Sequence, residues 1–201
     1  MSPFVETLSL QNGVVRNLAL HEARLNATRQ HFWSGAQWLS LTPYIPQILC
    51  SNTQQKLRIV YGQNGVGEVS CAPYTRRMIR SLRLVFSDTV DYRFKSTDRQ
   101  VLSDLLAQRD GCDEVLIVRR GLLTDTSFTN IALFDGEAWY TPAEPLLRGT
   151  MRASLLAEGK LRERDIRPQD LVFYQKIMLF NALNGWGECL LSTSAIAGSL
   201  S

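Results

Sequence analysis

The chain has 201 residues, of which 45% are hydrophobic and 20% charged, and its formal net charge is +3. That is enough chain for one large domain or two small ones with a sizeable core, in a composition ordinary for a globular enzyme. The apolar runs are too short for a membrane span, and so mild a charge balance does not call for nucleic acid as a partner.

Residues 4–10 look like a strand, and Asn12-Gly13 is a strong two-residue hairpin signal leading to a return strand at Val14-Val15. From Leu18 the spacing becomes helical, with Leu18, His21, Leu25 and Thr28 on one face. A loop around Ser40–Pro46 leads to a short second helix and then a strand at Leu57–Tyr61. Gly62, Gly65 and Gly67 make a turn-rich connection to a short strand at Val69–Cys71. Ala72-Pro73-Tyr74 marks the boundary between a smaller domain, 1–72, and a larger one, 73–201.

In the second domain Ile79–Phe86 reads as a strand, Asp98–Arg109 as a helix and Glu114–Val118 as a buried strand. Asn130–Phe134 and Ala138–Thr141 flank an Asp135-Gly136 turn. A helix opens at Gly149-Thr150 and runs to about Glu158, and Lys176–Asn181 is a late strand. Short strands interleaved with a few helices give an α+β chain whose second domain is mainly antiparallel.

The basic run Arg76, Arg77, Arg80 and Arg83 alternates with Ile79, Leu82, Leu84 and Phe86, as one solvated face of a strand does, and no RNA-binding signature accompanies it. Cys50, Cys71, Cys112 and Cys189 are scattered, with no CxxC pair and no histidine at ligand spacing. They read as reduced, mostly buried thiols with no metal site. No charged-then-apolar leader precedes Phe4, so the default location is the cytoplasm.

Lysine is scarce: Lys56, Lys95, Lys160 and Lys176 are the only lysines among 22 basic residues. An ammonium can be desolvated until it becomes a nucleophile, which a guanidinium cannot. Lys95 lies beside aromatics in Tyr92-Arg93-Phe94-Lys95-Ser96-Thr97, although taken alone it also reads as a surface residue. Leu122–Ile131 places Asp125 among hydroxyl residues, either as a turn held by its own side chains or as a wall facing a ligand. Gly149 at a helix start suits a phosphate, a weak signal because many helices begin this way.

Taken in order, these segments resemble the class IV aminotransferases, enzymes that use pyridoxal 5'-phosphate (PLP). Val5-Glu6-Thr7-Leu8, Asn12-Gly13 and His21-Glu22-Ala23-Arg24-Leu25 resemble that family's opening, and Lys95 with Asp98-Arg99 its lysine region. Gly111–Leu116, Gly121–Ile131, Thr141-Pro142 with Leu147–Arg152, and Phe180–Trp186 resemble four further blocks.

The resemblance implies a smaller N-terminal α/β sandwich, a larger barrel-like domain carrying the lysine, PLP at their junction, and a homodimer. It implies that Lys95 is the catalytic residue, bonded to PLP as a Schiff base. Arg24 and the backbone at Gly149, Thr150 and Met151 would bind the phosphate, and Asp125 the pyridine nitrogen. Thr129 and Asn130 would shape the cofactor wall, and Val5 and Ser127 the substrate side. Asp125 stands where the family usually has Glu, Val5 replaces an aromatic, and Gly-Thr-Met replaces Gly-Ile-Thr.

The Asn181–Trp186 stretch and the spacing from Lys95 to Arg99 resemble lyases that form 4-aminobenzoate and pyruvate from 4-amino-4-deoxychorismate, on the way to folate. The alternatives are an aminotransferase for branched-chain or D-amino acids, or a binding protein that keeps the fold without catalysis. In either enzyme reading the partner is a small amino compound.

Overall fold

The computed structural model describes residues 3–46 and 53–198. It resolves into two units, one of Met1–Arg76 with Phe94–Asp98, the other of Arg77–Arg93 with Arg99–Ser201.

The first unit begins with β1 (Phe4–Gln11), on which Phe4, Leu8 and Leu10 enter the core. Asn12 and Gly13 both have positive φ, 51° and 76°, the conformation a two-residue hairpin needs. β2 (Val14–Val15) returns, and Gln11 pairs with Val14. Helix α1 (Leu18–Phe32) follows and buries His21, Leu25, Asn26, Thr28 and Arg29, extending the face set by the spacing. The polar members of that face are satisfied. Asn26 bonds Leu39 through both its N–H and its carbonyl, and Arg29 donates to the Gln37 carbonyl at 2.6 Å. A single 3₁₀ turn covers Thr42–Tyr44. The expected second helix falls largely on residues outside the described ones. β3 (Gln55–Gly62) and β4 (Gly65–Pro73) complete an antiparallel sheet in the order β2-β1-β3-β4. Both strands are longer than the sequence suggested, because the glycines of the connection lie inside the hairpin.

Phe94–Asp98 groups with this first unit, although it follows the boundary at residues 72–73 in the chain. The reason is hydrogen bonding to the start of β1. Val5 N–H donates to the Lys95 carbonyl, Thr97 N–H donates to the Pro3 carbonyl, and Phe4 bridges Ser96. Phe94 stacks on His31 at 4.6 Å and meets Phe32 edge-on at 4.8 Å.

In the second unit β5 (Leu82–Phe86), α2 (Gln100–Ala107), β6 (Glu114–Arg119) and β7 (Leu122–Leu123) precede the hairpin of β8 (Asn130–Phe134) and β9 (Trp139–Pro142). α3 (Thr150–Ala157), β10 (Arg162–Arg164), β11 (Lys176–Phe180), β12 (Leu190–Ser192) and β13 (Ile196–Ala197) follow. They form two sheets, β10-β9-β8-β11-β12 and β13-β5-β6-β7. Antiparallel pairings hold a narrow majority, because β13 with β5, β5 with β6, and β10 with β9 run parallel. β6 is buried on both faces, with Leu116 and Val118 in one core and Val115 and Ile117 in another.

The basic run departs from its expected form. The strand starts at Leu82 rather than Ile79, so the arginines do not share one strand face. Instead Arg77 pairs with Glu114 at 3.4 Å, Arg80 with Asp113 at 3.7 Å and Arg83 with Asp110 at 3.5 Å. Cys71, Cys112 and Cys189 are free thiols, half-buried rather than buried. Cys50 lies outside the described residues. Among the described residues no helix is long and apolar enough to cross a membrane.

Candidate active site

The first unit gathers four ionisable groups around the start of β1. Glu6 occupies the inward face of that strand with Phe4 and Leu8, and is fully buried. A carboxylate there needs partners, and α1 supplies two. Arg24 forks onto it, Nε donating to Oε1 at 2.9 Å and an Nη2 proton to Oε2. His21 Nδ1 lies 2.6 Å from Oε2. Burial pushes the Glu6 pKa up, but Arg24 and His21 outweigh it and hold the group at about 2. Burial, opposed by Glu6, leaves the His21 pKa lowered, and the charges of Arg24 and Lys95 press in the same direction. A neutral imidazole beside an ionised carboxylate must carry its proton on Nδ1, so His21 is the donor.

Lys95 is half-buried on the neighbouring segment, whereas Lys56, Lys160 and Lys176 are exposed. Val5, whose N–H holds the Lys95 carbonyl, is buried at 6% exposure. Lys95, Arg24 and Val5 are thus brought together with two residues to which the sequence reading assigned no role, Glu6 and His21. A signal for both was present: an acid at an inward position of an apolar alternation, and a histidine on the apolar face of a helix.

The second unit gathers the others. Asp125 is buried, its Oδ1 accepting from Asn130 Nδ2 and its Oδ2 from Leu147 N–H, both at 2.9 Å. Asn130 also donates to the Leu147 carbonyl at 2.8 Å, so one amide clasps the turn to the segment entering α3. Gly149 caps that helix, and a Cβ there would stand 2.0 Å from Asn130 Oδ1. The glycine is therefore required by close approach, at an ordinary φ of −71°. Thr129 hydroxyl meets the Thr126 hydroxyl at 2.7 Å. Thr150 is buried, and the Met151 side chain enters an apolar core, so any contact Met151 makes to an anion runs through its backbone. Ser127 is held by its backbone: its N–H donates to Glu114 Oε1 at 3.2 Å and its carbonyl accepts from Arg99 Nη2 at 2.8 Å. Glu114, in the Gly111–Leu116 stretch, and Arg99, four residues after Lys95, are thereby scaffolding for the Asp125 turn.

Burial dominates the Asp125 carboxyl and raises its pKa to about 7, against opposing contributions from Leu147, Asn130 and Arg152. The folded protein without cofactor then keeps a proton that the unfolded chain releases between the ordinary value of 3.8 and about 7. A raised folded pKa gives stability that is complete below the unfolded value and fades as pH rises through the folded one. We predict that cofactor-free protein loses stability across that window by up to about 1.4 kcal/mol per pH unit, and that Asp125→Asn flattens the slope. Thermal melts from pH 4 to 7.5 test this; parallel curves for the two proteins would refute it.

This chain belongs to the class IV aminotransferases, whose family model matches residues 4–190. It is 36% identical over 189 residues to an uncharacterised protein of Haemophilus influenzae, a match covering 92% of this chain and 100% of that one. Its fold matches the crystal structure of a candidate 4-amino-4-deoxychorismate lyase from Haemophilus somnus with TM-score 0.87 and 34% identity, covering 92% of this chain and 98% of that one. A hypothetical aminotransferase of Mycobacterium tuberculosis, solved in a PLP-bound form, shares the fold at TM-score 0.72 and 19% identity, covering 98% of this chain and 82% of that one.

The enzyme is PLP-dependent, and its residues fit that cofactor. A buried carboxyl kept protonated up to about 7 by desolvation is one that a cation laid against it would ionise, as a pyridinium nitrogen does. Lys95 is the one lysine of four that is not exposed.

Proposed function

We propose that this enzyme is a lyase converting 4-amino-4-deoxychorismate to 4-aminobenzoate and pyruvate. The observation that carries the reading is the likeness to the Haemophilus somnus candidate lyase, at 34% identity over nearly the full length of both chains.

When bound, PLP supplies an electron sink for the substrate carbon that bears the amine. Lys95 is the catalytic residue: its amine would hold the cofactor and would take the proton from the substrate carbon that bears the amine. Loss of this proton and departure of the enolpyruvyl oxygen from the adjacent ring carbon leave an aromatic ring. Enolpyruvate takes up a proton at its methylene carbon and becomes pyruvate, so the elimination balances without an oxidant. Arg24 and the backbone N–H groups at Gly149, Thr150 and Met151 bind the phosphate. Asp125 binds the pyridine nitrogen, with Thr129 and Asn130 shaping that wall. Ser127 and Val5 face the substrate, and the small side chain of Val5 makes room for a ring.

Incubation with aminodeoxychorismate should release 4-aminobenzoate and pyruvate in equal amounts, read by fluorescence and by a coupled lactate dehydrogenase assay. Amino transfer from L- or D-amino acids to 2-oxoglutarate, with no 4-aminobenzoate formed, would replace the lyase by an aminotransferase.

A further inference from the structure

We propose that Glu6 is a positioning residue for the phosphate end of the cofactor site, acting through Arg24. This inference rests on the function proposed above and adds to it a residue that touches no ligand.

The argument begins with the cost of the arrangement. Glu6 is fully buried, and a lone carboxylate there would be strongly unfavourable. A strand that needed only packing would carry an apolar side chain between Phe4 and Leu8. What Glu6 does instead is hold a guanidinium by two donors of one edge, Nε and Nη2. Two parallel bonds fix both the position and the plane of Arg24, which a single bond would leave free to rotate. His21 donates to the same Oε2 and prevents the carboxylate from turning. Tyr61, whose phenol pKa is raised by burial and then by the Glu6 charge, is a further titratable group near it. Arg24 keeps 16% of its side chain exposed while Glu6 keeps none, so the pair presents the cation and hides the anion.

Two effects of Glu6 on an anion oppose each other. Its charge repels phosphate through the guanidinium, and its fork orients the guanidinium that attracts phosphate. Orientation is the stronger, because bidentate recognition tolerates little misplacement, whereas the Glu6 charge is already neutralised by its partner. Glu6→Gln keeps the shape but turns an N–H donor toward the donors of Arg24 or His21, so the fork cannot re-form.

The test compares PLP with pyridoxal, which lacks the phosphate, by absorbance titration of wild type and Glu6→Gln. PLP affinity should fall roughly 10- to 100-fold, the range for outer partners of a bound ion, while pyridoxal affinity stays unchanged. In an Arg24→Gln background the Glu6 substitution should cost PLP nothing further. Equal loss for both ligands, or tighter PLP binding by Glu6→Gln, overturns the positioning role while leaving the PLP enzyme standing. Wild type that takes up no PLP overturns both. Should Glu6→Gln fold too poorly to titrate, NMR of wild type decides: the Arg24 Nε–H must be protected from exchange, and must shift on adding PLP but not pyridoxal.

Discussion

Replacing Lys95 with alanine should abolish turnover, by at least roughly a thousandfold, while leaving the fold unchanged. Positioned proton transfer alone contributes about 10²–10⁴ to such reactions, and the same amine anchors the cofactor. The fold survives because the truncated atoms belong to a half-buried side chain. What ties this segment to β1 is backbone, the Val5 N–H to Lys95 carbonyl bond at 2.9 Å, together with the stacked ring of Phe94. Borohydride reduction of wild type with PLP should fix the cofactor mass on the peptide carrying Lys95, and the variant should show none. Retained activity would move the chemistry to another lysine, but the geometry offers poor substitutes. Lys160 is exposed and paired with Glu158 at 2.7 Å, Lys176 lies over the Phe134 ring, and Lys56 is exposed on β3.

Local signals in this sequence translated directly into structure. Asn12-Gly13 turned as a hairpin because both residues can take positive φ, and α1 buried the face that Leu25 and Thr28 define. Glu114–Val118 was legible as buried because its unbroken apolar run faces a core on each side of the sheet. The misses are non-local. The parallel pairings of β5 with β6 and β13 join residues far apart in the chain, and no periodicity within a segment records which strand lies beside it. β7, β10, β12 and β13 are too short to show a period at all. The grouping of the Lys95 segment is non-local in the same way. Phe94–Asp98 belongs with β1 through bonds across some ninety residues, such as that of Thr97 to Pro3, and a boundary read from composition cannot see them. At the site, Asp125 and Asn130 stood out as types, but the amide clasp from Asn130 to Leu147 needed the second segment to be in place. Glu6 shows the reverse case. Its signal, an acid inside an apolar alternation, was on the surface of the sequence and was read only as part of a motif.

Truncating Arg24 to alanine should weaken PLP binding by about 2–4 kcal/mol, the range for removing one side of a buried charge pair, or roughly 30- to 1,000-fold in affinity. The same substitution has a second consequence that does not depend on the cofactor. Glu6 has a pKa of about 2, below its ordinary 4.5, so it stabilises the fold above pH 4.5 and that stability is lost as pH falls toward 2. Without Arg24, burial is opposed chiefly by His21, the Glu6 pKa rises, and the loss begins at a higher pH. Arg24→Ala should therefore unfold in acid earlier than wild type, with or without PLP. Following unfolding by circular dichroism from pH 7 to 2, beside a PLP titration at pH 7.5, separates the two effects. An acid midpoint that moves with unchanged PLP affinity would keep the Glu6 pair and place the phosphate elsewhere. Weakened affinity with an unmoved midpoint would mean that His21 alone sustains the buried carboxylate, and that Arg24 serves the cofactor rather than the fold.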